Sequence, residues 1–87
     1  MKKVMMFMMP SCPYCKNARR WMDEVFYEHP EYKAVELEII DEIKEAKFAD
    51  RYDYYFVPTY YVGGVKVHEG VPQKDTILRV FQSAYEG

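Results

Sequence analysis

From Lys3 to Met9 the chain is an unbroken apolar run, Val4-Met5-Met6-Phe7-Met8-Met9. Such a run is too short for a buried helix and suits a strand covered on both faces. Pro10-Ser11 ends it. A helix can then start at Cys12 with Pro13 at its first position, where a missing N–H costs nothing. Ala18, Trp21, Met22, Val25 and Phe26 recur at helical spacing and form one apolar face, and His29-Pro30 closes the helix. From Ala34 to Ile39 the pattern alternates. Val35, Leu37 and Ile39 point one way and Glu36 and Glu38 the other, as in a half-exposed strand. Asp41-Glu42 opens a second predicted helix, acidic at the positive end of its dipole. It runs to about Tyr52, with Ile43, Phe48, Ala49 and Tyr52 as packing residues. Phe56 to Val62 reads as a strand interrupted by Pro58, Gly63-Gly64 as a hairpin turn, and Val65 to His68 as the return strand. Gly70, Val71 and Pro72 lead into a last helix with Ile77, Leu78, Phe81, Ala84 and Tyr85 as its apolar stripe. The order is β-α-β-α-β-β-α. It predicts an α/β fold: a mixed four-stranded sheet with helices on both faces, strands one and two parallel across a right-handed crossover.

Composition narrows the class without changing this picture. The 87 residues are read as one domain, 1–87. With 49% hydrophobic residues and a net charge of −2, intrinsic disorder is excluded. The same near-balance gives no electrostatic support to a nucleic-acid or anionic-membrane partner. No stretch approaches the roughly 20 apolar residues of a membrane helix. Lys2 and Lys3 before the apolar block resemble the start of a secretory signal. The block is shorter than the roughly 7–15 residues a signal needs, and no small-residue cleavage site follows. A cytoplasmic monomer is expected.

The candidate chemistry lies in the two cysteines, Cys12 and Cys15. Disulfide-stapled domains usually carry more, so a lone Cys-x-x-Cys in a reducing compartment reads as redox chemistry or half a metal site. Structural zinc wants four ligands. His29 and His68 repeat no ligand spacing and are read as surface residues, so no metal is expected. The pair Cys12-Pro13-Tyr14-Cys15 stands where a strand feeds a helix. Unpaired N–H groups and the helix dipole stabilise a thiolate there. Cysteines so placed commonly have a pKa lowered from about 8.5 to roughly 3.5–7.5. Cys12, at the terminus, is the expected nucleophile. Cys15, one turn on, is expected to be shielded and resolving. Lys16, Arg19 and Arg20 add positive charge nearby.

These residues carry a family resemblance. Cys12-Pro13-Tyr14-Cys15, then Val57-Pro58-Thr59, then strand, Gly-Gly turn, strand and helix, are similar to the dithiol glutaredoxins of the thioredoxin superfamily over essentially the whole chain. The resemblance implies a thiol–disulfide oxidoreductase with no permanently bound cofactor and glutathione as co-substrate. It implies that Pro58 is cis and faces the cysteines, and that Val57 offers its backbone to an extended partner. It places Gly70 beside the substrate. Departures concern the substrate more than the fold. Met9-Pro10-Ser11 stand where many glutaredoxins have a Lys, Tyr55-Phe56 where they have polar residues, and Glu69-Gly70-Val71-Pro72 where a second glycine and an acidic helix start hold glutathione, with Asp75 late for that acidic role. Two alternatives belong to the same superfamily: a short thioredoxin-like protein reduced by a flavoprotein reductase, and an iron–sulfur cluster carrier using the first cysteine with glutathione. The thioredoxin signature Trp-Cys-Gly-Pro-Cys is absent, and Met6 stands near the place of the buried acid of thioredoxins. Met5, Met6, Met8 and Met9 are read as core. Tyr54 and Tyr55 are read as packing ahead of partner contact.

Overall fold

The computed structural model describes residues Met1–Gly87. Strand β1, Val4–Met8, is buried at every position. Its alternating side chains explain why an unbroken apolar run is needed. Val4, Met6 and Met8 enter one core with Ala18, Met22, Val25, Ile77 and Phe81. Met5 and Phe7 enter a second on the other face, with Ile40, Ala49 and Tyr61. Helix α1, Pro13–Glu28, has Pro at its first position and ends where His29 precedes Pro30. A short 3-10 turn, Pro30–Ala34, leads to β2, Leu37–Asp41, parallel to β1. The sheet order is β2-β1-β3-β4, with β3, Thr59–Val62, antiparallel to both β1 and β4, Val65–Glu69. Gly63 and Gly64 take φ of +56° and +84°, the left-handed pair a tight hairpin needs. Helix α3, Lys74–Glu86, starts with a reciprocal cap between Gln73 and Thr76 and packs on the α1 side. The predicted order and the mixed sheet between helices are therefore present.

The second predicted helix is much shorter than expected. Only Ala46–Ala49, α2, is helical. The Asp41 carboxylate accepts hydrogen bonds from the Ile43 and Lys44 N–H groups at 2.9 and 3.3 Å, capturing residues 42–45 in turns. Ile43 is 67% exposed, so its expected packing role is wrong, while Phe48, Ala49 and Tyr52 do pack. Strand β3 begins at Thr59 instead of Phe56, which is exposed. Val80 joins the buried face of α3, and Tyr85 stays partly exposed. Of the four methionines, Met9 is only half-buried.

Candidate active site

Two antiparallel neighbours make the site. Phe7, near the end of β1, pairs with Thr59 at the start of β3. That register sets the loop after β1 beside the segment before β3, although they lie 45 residues apart in the chain. Cys12 is the residue before α1, with extended backbone at φ −79° and ψ 118°. Its N–H bonds Met9 O at 3.1 Å and its C=O accepts Lys16 N–H at 3.1 Å, so the loop is locked onto the first turn. Its Sγ lies 3.9 Å from the Val57 carbonyl oxygen. Cys15 sits one turn inside and is 1% exposed, against 8% for Cys12. Both thiols are free. Burial pushes the Cys15 thiol up to about 12, opposed by a hydrogen bond with the Met9 backbone and reinforced by the neighbouring Cys12 sulfur. Lys16 and Arg19 border a half-open cavity of about 410 Å³ that also touches Cys15. Arg20 instead lies over the Trp21 ring at 5.8 Å.

The Val57–Pro58 peptide bond is cis and Pro58 is buried. Around it, the backbone is tied down at nearly every polar group. Thr59 Oγ1 donates to Phe56 O at 2.5 Å, and Gly70 N–H to Pro58 O at 3.0 Å. Gly70 makes that bond with φ of +97°, where a side chain would be strained. The Glu69 carboxylate accepts the Tyr55 and Phe56 N–H groups at 2.6 and 3.0 Å. The Val57 N–H has no partner, and its C=O meets only the Cys12 thiol. Thus Cys12, Cys15, Val57, Pro58, Thr59 and Gly70 are brought together. Pro13 and Tyr14 are exposed on the same turn.

His29 and His68 are both half-buried. One stacks on Tyr32 at 5.1 Å, and the other has Nε2 3.1 Å from Gly70 O. Tyr54 packs on Phe7 and donates to Glu42 at 2.7 Å, whereas Tyr55 is 87% exposed, against its reading as packing. Asp75 pairs with Arg79 at 2.8 Å on the surface of α3. Sequence reading missed the part played by Glu69, which has no motif around it. The one available signal was an acidic residue in an otherwise β-forming run, beside a glycine.

Comparison with known proteins points one way. Residues 2–82 match the family model described as "Thioredoxin domain". Over 80 residues the chain is 32% identical to a thioredoxin of Methanocaldococcus jannaschii, covering 92% of each. The solution structure of a thioredoxin-like protein from Clostridium perfringens superposes with a TM-score of 0.71 at 24% identity, over 97% of this chain and 71% of that one. The structure of a malarial protein gives 0.73 at 15% identity, over 95% and 96%. At these identities the two structures establish the fold: the thioredoxin fold.

Proposed function

The chain belongs to the thioredoxin domain family, and from its site geometry we propose that it reduces protein disulfides by dithiol exchange, with Cys12 as nucleophile and Cys15 as resolving thiol. The cysteine pair at the head of α1 supports thiol–disulfide redox activity in general. The observation that carries the finer reading is the Val57 backbone, whose C=O oxygen lies 3.9 Å from the Cys12 sulfur and whose N–H has no partner in the chain. An extended peptide can pair with them as an added strand, so that main-chain groups bind and side chains select little.

The steps follow from sulfur chemistry. Cys12 thiolate attacks one sulfur of the substrate disulfide, that bond breaks, and one substrate thiolate leaves. Cys15 passes its proton to the leaving thiolate and, as a thiolate, attacks the Cys12 sulfur. The second substrate sulfur departs as a thiolate and takes its proton from solvent, two electrons have moved to the substrate, and a Cys12–Cys15 disulfide remains. The raised Cys15 thiol keeps its proton until the mixed disulfide forms, which holds the two cysteines to separate tasks. Restoring the dithiol needs an external two-electron reductant. The identity to a thioredoxin supports a flavoprotein reductase. The Cys-Pro-Tyr-Cys sequence supports glutathione as a second reading. A cytoplasmic setting suits either donor.

Turnover of a protein disulfide with each donor in turn tests this. Cys12→Ser is expected to abolish turnover with both, and the donor giving the higher kcat/KM decides between the readings. Full activity in Cys12→Ser would end the assignment.

A further inference from the structure

Tyr55 and Phe56 are 87% and 69% exposed, yet they immediately precede the residue that faces the reactive sulfur. A segment that buries so little of its side chains is not ordered by the hydrophobic effect. Its order must come from polar contacts. The Phe56 and Pro58 carbonyls are held by Thr59 and Gly70. The Tyr55 and Phe56 N–H groups are both held by one oxygen, Glu69 Oε2, at 2.6 and 3.0 Å. The other oxygen, Oε1, accepts from Lys66 Nζ at 2.8 Å.

The aim of that carboxylate has a local cause. On a regular strand, residues three apart point to opposite faces. Between β3 and β4 the register slips: Tyr60 pairs with His68 but Tyr61 with Lys66, leaving Val67 as an extra residue. Such a bulge interrupts the alternation and re-aims side chains. Lys66 and Glu69 thereby meet, and Glu69 is turned toward the segment before the cis peptide bond.

We propose that Glu69 is a positioning residue, whose carboxylate clamps the Tyr55 and Phe56 amides so that the Val57 N–H and C=O stay presented to an extended disulfide substrate. The inference rests on the oxidoreductase reading above. Without the clamp, binding must also order the segment, at an entropic cost that falls on affinity. The cysteines lie on another loop, so the exchange step itself is untouched. Glutamine keeps an accepting oxygen without the charge and gives partial rescue.

The test compares Glu69→Ala and Glu69→Gln with the wild type on two substrates: a folded protein disulfide, and a small aromatic disulfide that has no backbone to pair. For the protein substrate, Glu69→Ala is expected to raise KM about tenfold, the loss of roughly one charge-assisted hydrogen bond, with kcat retained and Glu69→Gln in between. Rates on the small disulfide should stay within about twofold, against that tenfold change. An unchanged KM in Glu69→Ala overturns the proposal, as does an equal loss on both substrates, which would mark general damage. A wild-type protein inert to both disulfides would overturn the oxidoreductase reading instead, and the positioning role with it. Hydrogen exchange at the Tyr55 and Phe56 amides, accelerated in Glu69→Ala well beyond the amides of β1, reports the released clamp independently; unaltered exchange counts against it.

Discussion

Cys15 and Glu69 are held far from their ordinary ionisation, in opposite directions. The Cys15 thiol is pushed from 9.0 to about 12, mainly by burial. An acid whose pKa rises on folding keeps its proton in the native state while the unfolded chain has lost it. The reduced protein should therefore lose stability as pH climbs from 9 to 12, by up to about 1.4 kcal/mol per pH unit from this group. Buried Tyr60, and Tyr54 hydrogen-bonded to Glu42, are raised too and steepen the same slope. Urea denaturation at several pH values separates the thiol from the tyrosines, because Cys15→Ala should remove the thiol's share of the slope and leave theirs. The Glu69 carboxyl is lowered from 4.5 to about 2, first by Lys66 and then by the Tyr55 and Phe56 amides. Its contribution is complete above pH 4.5 and is lost as pH falls toward 2. Protection of those two amides from hydrogen exchange should accordingly persist at pH 4 and fail near pH 2. The placement of the cysteines, Cys12 at the head of α1 and Cys15 one turn inside, was legible in the sequence because the strand-to-helix boundary already reveals it. Glu69 was not, because its aim depends on a bulge that only the register of two strands discloses.

Among the elements, β1 does most to join the two cores. Phe7 is its centre on the second face, with ring centroids 4.8 Å from Tyr54, 5.0 Å from Tyr52 and 5.8 Å from Tyr61. Phe7→Ala should cost about 3–5 kcal/mol. Ile43→Ala, at an exposed turn, should change stability by less than about 0.5 kcal/mol. Chemical denaturation of the two variants checks the contrast; similar losses would contradict the assignment of Ile43 to the surface. β1, read from its unbroken apolar run, and α1 and α3, read from their helical spacing, were legible to within a residue or so, whereas β2, expected from Ala34 to Ile39, runs Leu37–Asp41. The stretch after β2 was not legible. Asp41 reads equally well as a helix start and as a turn former, and the structure takes the turn through its Ile43 and Lys44 contacts. The start of β3 was misplaced because aromatic residues favour strands, whereas here Tyr55 and Phe56 are held as an exposed segment by side-chain contacts from β4.

In the whole molecule, the candidate site forms because the sheet order β2-β1-β3-β4 places the end of β1 against the start of β3. The cysteine loop and the Val57–Pro58 segment are thus mounted on adjacent central strands, each backed by a core. The element order in the sequence implied one mixed sheet with β1 and β2 parallel, and the neighbour relation of β1 and β3 came from the structure. What the order alone did not disclose is which backbone groups beside Cys12 would lack a chain partner, and the Val57 N–H is one of them. No helix is long and apolar enough to cross a membrane. The central claim is that Cys12 attacks and Cys15 resolves, and peptide mapping by mass spectrometry after incubating Cys15→Ser and Cys12→Ser with a protein disulfide tests it most directly. A stable mixed disulfide is expected on Cys12 in the first variant and none in the second. A mixed disulfide on Cys15, or none in either variant, would contradict it.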